Sequence, residues 1–305
     1  MEINKLLDKL DKAETDEEIR NIGEEILEHD SNNPYGKLAI WQTMEYEDCM
    51  ENLDILSEAL DTIRAVVEAK TEPVAIDEDR DAEVYCTIMM NLGFCLLAKD
   101  ESDDALVIAR EFVNFDSEGF FPSRTLIYCC MLDLNMYREI LETVESDQLE
   151  SVVGEHARAI ALIETDADSG EIRDAVNYAI SLDPDVPFFI LNIWDFPENE
   201  EDIEETMEDS MDSATYLTAA WTATDERLAA ISGPTFLFGY LTERLTDEKE
   251  IKALKEGYEG VGVLDEVEEA KARISAMEED VKDPLEVDAF ALGETANILE
   301  SLFSE

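Results

Sequence analysis

Two acid-rich stretches carry the residue types of a calcium loop, Asp77-x-Asp79-x-Asp81 and Asp166-x-Asp168-x-Gly170. An EF-hand loop needs glycine at its sixth position and a glutamate at its twelfth. Here the sixth positions are Glu171 and Ala82 and the twelfth are Asn177 and Ile88, so both stretches read as turns between helices. His29 and His156 are the two histidines of the chain, and neither has a second histidine at ligand spacing. Zinc chemistry and a histidine-based triad therefore have almost nothing to work with. Gly257-x-x-Gly260-x-Gly262 has the wrong order for a dinucleotide fingerprint, follows no strand and lacks a Walker lysine, which leaves it as a hinge or linker. Vicinal Cys129 and Cys130 could form a redox pair, but on a helix they point to different sides and read as packing residues. No cluster of nucleophile, base and oxyanion donor can be assembled, so the chain is expected to be non-catalytic, with no cofactor and no metal.

Residues 174–226 contain no lysine or arginine, and Glu198 to Asp212 is the acidic centre of that stretch. Glu201, Glu204, Glu205, Glu208, Asp209 and Asp212 are its candidate surface for a basic segment or divalent cations. The plainer reading is the solvated side of an amphipathic helix in a chain that is acidic throughout. Phe120-Phe121 and Phe188-Phe189 to Trp194 are candidate interface anchors, against the plainer reading of packing between helices.

The elements that would position these groups are helices. Ile3, Leu6, Leu7 and Leu10 share one helical face, Thr15 begins a capping pattern, Pro34 opens a third helix, and residues 50–69 read as one long helix. The centre of the pattern is Val84 to Ser117, two amphipathic helices joined by a polar turn at Lys99 to Asp103. Leu92-Gly93 in the first and Ala105 and Ala109 in the second allow the backbones a close approach. A hairpin of this kind leaves an apolar side uncovered and calls for neighbours of its own type. Further helices are expected at 152–163, 172–182, 203–221, 264–281 and 284–303, with breaks at Gly233-Pro234 and at the 257–262 glycines. Three helix ends line up by type, Ile26 to Ser31, Phe112 to Ser117 and Ala179 to Pro184, the last two about two units of 34 residues apart.

At 305 residues with 45% apolar content the chain can build a substantial core. Against 77 acidic residues stand 22 basic ones, a formal charge of -55, which argues against direct binding to nucleic acid or an anionic membrane and makes positively charged partners the natural counterparts. A salt-rich surrounding is the other origin of such a surface, because at ~1 M salt the screening length falls to about 3 Å. The even use of lysine and arginine and the free use of bulky apolar residues weigh against it. Five cysteines in an odd count with no Cys-x-x-Cys spacing read as reduced core residues. With no basic-then-apolar opening and no run near the ~20 residues of a membrane span, a cytoplasmic location is expected.

Leu92, Gly93, Ala105, Ala109 and the closing Pro184 resemble the pattern of the tetratricopeptide repeat family, most clearly over residues 84–187. The resemblance implies an all-α solenoid of antiparallel helical hairpins forming a right-handed superhelix. It would run over residues 1–257, with 258–305 as a C-terminal helical extension or cap. It also implies a scaffold for protein–protein interaction, in which a peptide or protein lies in a groove lined by the first helix of each hairpin. In the central hairpin Thr87, Met90, Asn91, Phe94 and Leu97 would be the groove positions. The family's carboxylate clamp also needs lysine or arginine beside Asn91, and the first-helix segments supply neither. A different reading of the same acidity is a decoy that imitates nucleic acid and occupies the basic cleft of another protein.

Overall fold

The computed structural model describes residues 2–70, 75–197, 207–281 and 283–303. Among them the chain is all-helical, with seventeen helices and no strand, and it divides into two compact units, Met1–Leu134 and Asn135–Glu305. The expected array boundary at residue 257 falls inside a helix of the second unit.

The first unit holds α1 (Glu2–Leu10), α2 (Asp16–His29), α3 (Pro34–Gln42), α4 (Tyr46–Glu51), α5 (Leu53–Glu68), α6 (Arg80–Ala98), α7 (Ser102–Phe115) and α8 (Ser123–Asp133). Their starts are chemically marked. Thr15 accepts the Glu18 amide, Asn33 accepts the Tyr35 and Gly36 amides ahead of Pro34, and Asp79 accepts the Asp81 and Ala82 amides, each satisfying donors that the first turn leaves open. The helix expected over residues 50–69 is two helices, because Asn52 closes α4 by donating its side-chain amide to the Asp48 carbonyl at 2.8 Å before α5 starts. From α5 onward each helix packs on its neighbours in the chain, α5 on α6, α6 on α7 and α7 on α8, while α6 also reaches α8. Gly93 lies at that last crossing. A Cβ on it would run into Leu126, so the glycine is what allows α6 and α8 their separation.

The second unit holds α9 (Tyr137–Ser146), α10 (Val152–Glu164), α11 (Ser169–Leu182), α12 (Val186–Ile190), α13 (Glu208–Thr222), α14 (Asp225–Leu241), α15 (Glu248–Val261), α16 (Leu264–Asp280) and α17 (Pro284–Phe303). Here α14 is the hub, touching α10 to α13 and α15 to α17. Two expected breaks are absent. Gly233-Pro234 lies within α14, whose residues from Ile231 to Leu241 are mostly buried, and this packing outweighs the ~3 kcal/mol cost of an interior proline. Gly257 and Gly260 lie within α15. The stop comes at Gly262, the one of the three with a left-handed backbone (φ 81°), where the Val263 amide reaches back to the Tyr258 carbonyl in a Schellman closure.

From α6 to α12 the connections alternate between two types. Among the described residues, the five left-handed ones other than glycine, Asp100, Asn135, Asp166, Asn192 and Glu243, each stand two residues beyond the end of α6, α8, α10, α12 or α14. Asn and Asp tolerate that conformation best. After α6, α10 and α12 the next amide closes a six-residue loop, Glu101 to Leu96, Ala167 to Leu162 and Ile193 to Phe188. The intervening ends of α7, α9 and α11 instead carry an aspartate cap, Asp116, Asp147 and Asp183, as α2 does with Asp30. Each accepts amides from the following turn, and Asp116, fully buried, takes Phe120, Phe121 and the Ser123 hydroxyl.

Candidate functional site

α6 packs on α3, α5, α7 and α8 of the first unit. Ala82, Tyr85, Cys86, Ile88, Met89, Leu92 and Gly93 form its buried side. The remaining apolar side is the expected groove face, and all five of its residues share it: Thr87, Met90, Asn91, Phe94 and Leu97 are related by three- and four-residue spacings, each half-buried. Both polar side chains bond to the helix's own backbone. Thr87 donates its hydroxyl to the Glu83 carbonyl at 2.9 Å, and Asn91 donates one amide N–H to the Thr87 carbonyl at 2.9 Å, which leaves Asn91 its second N–H and its oxygen. The stripe therefore presents a thioether, an aromatic ring and a leucine around one side-chain amide. It holds no titratable group, and its chemistry is contact and shape.

Arg80–Ala98 is also the one helix among the described residues whose length and composition would allow it to cross a membrane, although 39% of its apolar window is buried inside the protein.

The acidic candidate is divided. Glu201, Glu204 and Glu205 lie outside the described residues. Glu208, Asp209 and Asp212 are exposed at the start of α13, where Glu208 and Asp209 stand at the positive end of the helix dipole. Among the described residues no group of His, Cys, Asp and Glu is arranged to hold a metal ion. The calcium-like aspartates serve as caps. Asp79 binds the first amides of α6 and the Lys70 ammonium at 2.5 Å, and Asp168 binds the Gly170 amide at 2.9 Å ahead of α11. The aromatic candidates are mostly core. Phe188 and Phe189 are buried against Trp194, with ring centroids 4.7 and 5.5 Å away, and Phe121 packs on Phe112, whereas Phe120 is exposed.

The buried polar groups are structural in their geometry. Arg227 donates to Glu164, to the Ala220 carbonyl and to the Tyr137 hydroxyl, all within 2.8 Å. Arg244 makes a bidentate pair with Asp288 and a further bond to Asp185. One surface escaped the sequence reading, an apolar groove between α14 and α15. Its signal was the run Glu250, Leu254, Gly257, Tyr258 and Val261 at helical spacing, hidden by taking the glycines as a break.

No family model matches the chain, and none of the curated proteins or solved structures compared with it matches either.

Proposed function

We propose that the chain is a non-catalytic scaffold of stacked helical hairpins, tetratricopeptide-like in architecture, that binds a protein or peptide along the half-buried stripe of α6. The observation that carries this reading is the stripe itself. Met90, Phe94 and Leu97 are held half-open on a helix whose other side is locked into the unit, with Thr87 and Asn91 beside them each bonded to the helix's own backbone. An adaptable thioether next to an aromatic ring is a surface suited to peptide contact. The hairpin reading is supported by the alternating connections, left-handed Asn or Asp after one helix and an aspartate cap after the next. The formal charge of -55 favours a partner bearing lysine or arginine through steering and discrimination more than through affinity.

The test is selection of displayed random peptides on the full chain, with a Met90→Glu/Phe94→Glu variant as counter-target. Sequences with apolar anchors and basic flanks should be recovered, and the double substitution should weaken them about tenfold or more while leaving the melting temperature nearly unchanged. Peptides that bind both proteins equally would move the site away from α6. Binding that tracks salt alone, with no dependence on anchors, would favour the nucleic-acid-mimicking decoy.

A further inference from the structure

α15 is an amphipathic helix whose apolar stripe is only partly covered. Leu254, Tyr258 and Val261 share that stripe; Leu254 and Tyr258 are half-buried, none of the helix is fully buried, and Val261 remains 61% exposed. Short helices in proteins owe most of their stability to burying such a stripe. Facing it across an open groove of about 480 Å³ are Gly233 and Phe236 of α14.

The groove is lined with unexplained room. A Cβ built on Gly233 or on Gly257 meets no atom within 4 Å. An interior glycine costs a helix roughly 1 kcal/mol relative to alanine. At Gly93 a neighbour from the same chain accounts for that cost, whereas at these two glycines none does. The space fits something that approaches both helix backbones. From Glu250 to Val261 the groove runs about 16 Å at 1.5 Å per residue, three helical turns. An open trough of that length takes a helix with anchors at i, i+4 and i+7.

Charge indicates which helix. Glu250 lines the groove and has no cationic partner among the described residues, whereas Lys252 and Lys255 are paired with Glu256 and Glu268. The Tyr258 hydroxyl has no hydrogen-bond partner among the described residues either. Burial of the ring raises its pKa to about 12, which keeps it a neutral donor. We infer that the groove between α14 and α15 docks an amphipathic helix from a partner protein, with apolar anchors over Gly233 and Gly257 and a lysine or arginine against Glu250. A second copy of this chain would bring another formal charge of -55, and the repulsion disfavours it.

The probe is a fluorescein-labelled Leu/Lys amphipathic peptide of about four helical turns. It is titrated into the full chain at ~0.15 M salt, where screening acts over about 8 Å. Gly257→Leu and Gly233→Leu fill the groove without changing charge. Each should weaken binding about tenfold or more while melting at or above the wild-type temperature, and Glu250→Gln should weaken it less. Val261→Asp serves as a third variant if either leucine lowers the melting temperature. Equal binding by wild type and by the filled variants would reduce the effect to surface charge and overturn the inference, as would absence of binding. A wild-type dimer in sedimentation that Gly257→Leu dissociates would assign the groove to a second copy and overturn it as well. The same titrations on the Met90→Glu/Phe94→Glu background take the α6 stripe out of the readout, so a failure here is distinguishable from a failure of the proposed function.

Discussion

Trp221 donates its indole N–H to Nδ1 of His156 at 3.2 Å, with neither side chain exposed to solvent and the rings edge to face. The bond fixes the tautomer, since Nδ1 must be unprotonated to accept it and Nε2 must carry the hydrogen of the neutral ring. Nε2 is buried with no partner. The ring is therefore held neutral, and burial lowers its pKa from 6.5 to about 3.

That relationship has a sign in solution. Between the unfolded value of 6.5 and the folded value of about 3 the unfolded chain binds one more proton at this residue. Stability contributed by a neutral His156 is complete above the upper value and is lost as pH falls, by up to ~1.4 kcal/mol per pH unit. Protonation of the many surface carboxylates relieves repulsion in the opposite direction at lower pH. The contribution should thus be read as the difference between wild type and His156→Phe in urea melts from pH 7.5 to 5. The variant is expected to be less stable at pH 7.5, because the Trp221 N–H is left without an acceptor, and the gap should narrow as pH falls. A gap independent of pH would show that His156 does not titrate on unfolding.

Gly93 and Gly257 are both helix-interior glycines, yet alanine should act on them with opposite sign. At Gly93 the new methyl collides with the buried Leu126, and the expected loss is about 1–3 kcal/mol, reduced by the gain in helix propensity. At Gly257 the methyl meets nothing, and a gain of roughly 0.5–1 kcal/mol is expected. Paired urea denaturation of the two variants decides this, and destabilisation at Gly257 would mean that the groove is narrower than described.

The same two glycines mark what was legible in the sequence. Leu92-Gly93 amid apolar residues signals a close helix crossing, because only a missing side chain admits one there, and Leu126 is the neighbour. The last two helices, expected at 264–281 and 284–303, are found at Leu264–Asp280 and Pro284–Phe303, since apolar periodicity and Asp283-Pro284 act locally. Gly233-Pro234 misled because the energy that keeps α14 continuous is tertiary, supplied by the helices around it. Gly257, Gly260 and Gly262 are alike in composition, and which one turns left-handed depends on where the stripe from Glu250 to Val261 runs out. The α6 stripe was legible as a face through its spacing. The chemistry of a partner for it was not, because apolar contact carries little directional code.

Arg227 should be costly to remove. It is 6% exposed and ties α14 to Glu164 at the end of α10 and to Tyr137 at the start of α9. Arg227→Ala leaves the Glu164 carboxylate and the Ala220 carbonyl without their donor. The lower part of the ~3–5 kcal/mol range for breaking a buried pair applies, because Glu164 keeps some contact with water. Arg227→Lys retains the charge but cannot reproduce three diverging bonds and should fall between alanine and wild type. Guanidinium titration monitored by tryptophan fluorescence tests the order. Equal stability of Lys and Arg at this position would mean that charge alone matters.

The cysteines should separate by reactivity. All five are free; Cys49, Cys86, Cys129 and Cys130 are buried, and Cys95 is half-exposed. Burial raises the pKa of the Cys86 and Cys130 thiols to about 12 and pushes that of Cys129 higher still. The attacking species is the thiolate, so at pH 8 these three hold almost none and admit little reagent. Iodoacetamide in slight excess on the native protein, followed by peptide mass analysis, should label Cys95 first. Cys86, Cys129 and Cys130 should be labelled only after addition of denaturant. Rapid native labelling at Cys129 or Cys130 would contradict the packing of α8 and reopen the vicinal pair as a redox centre.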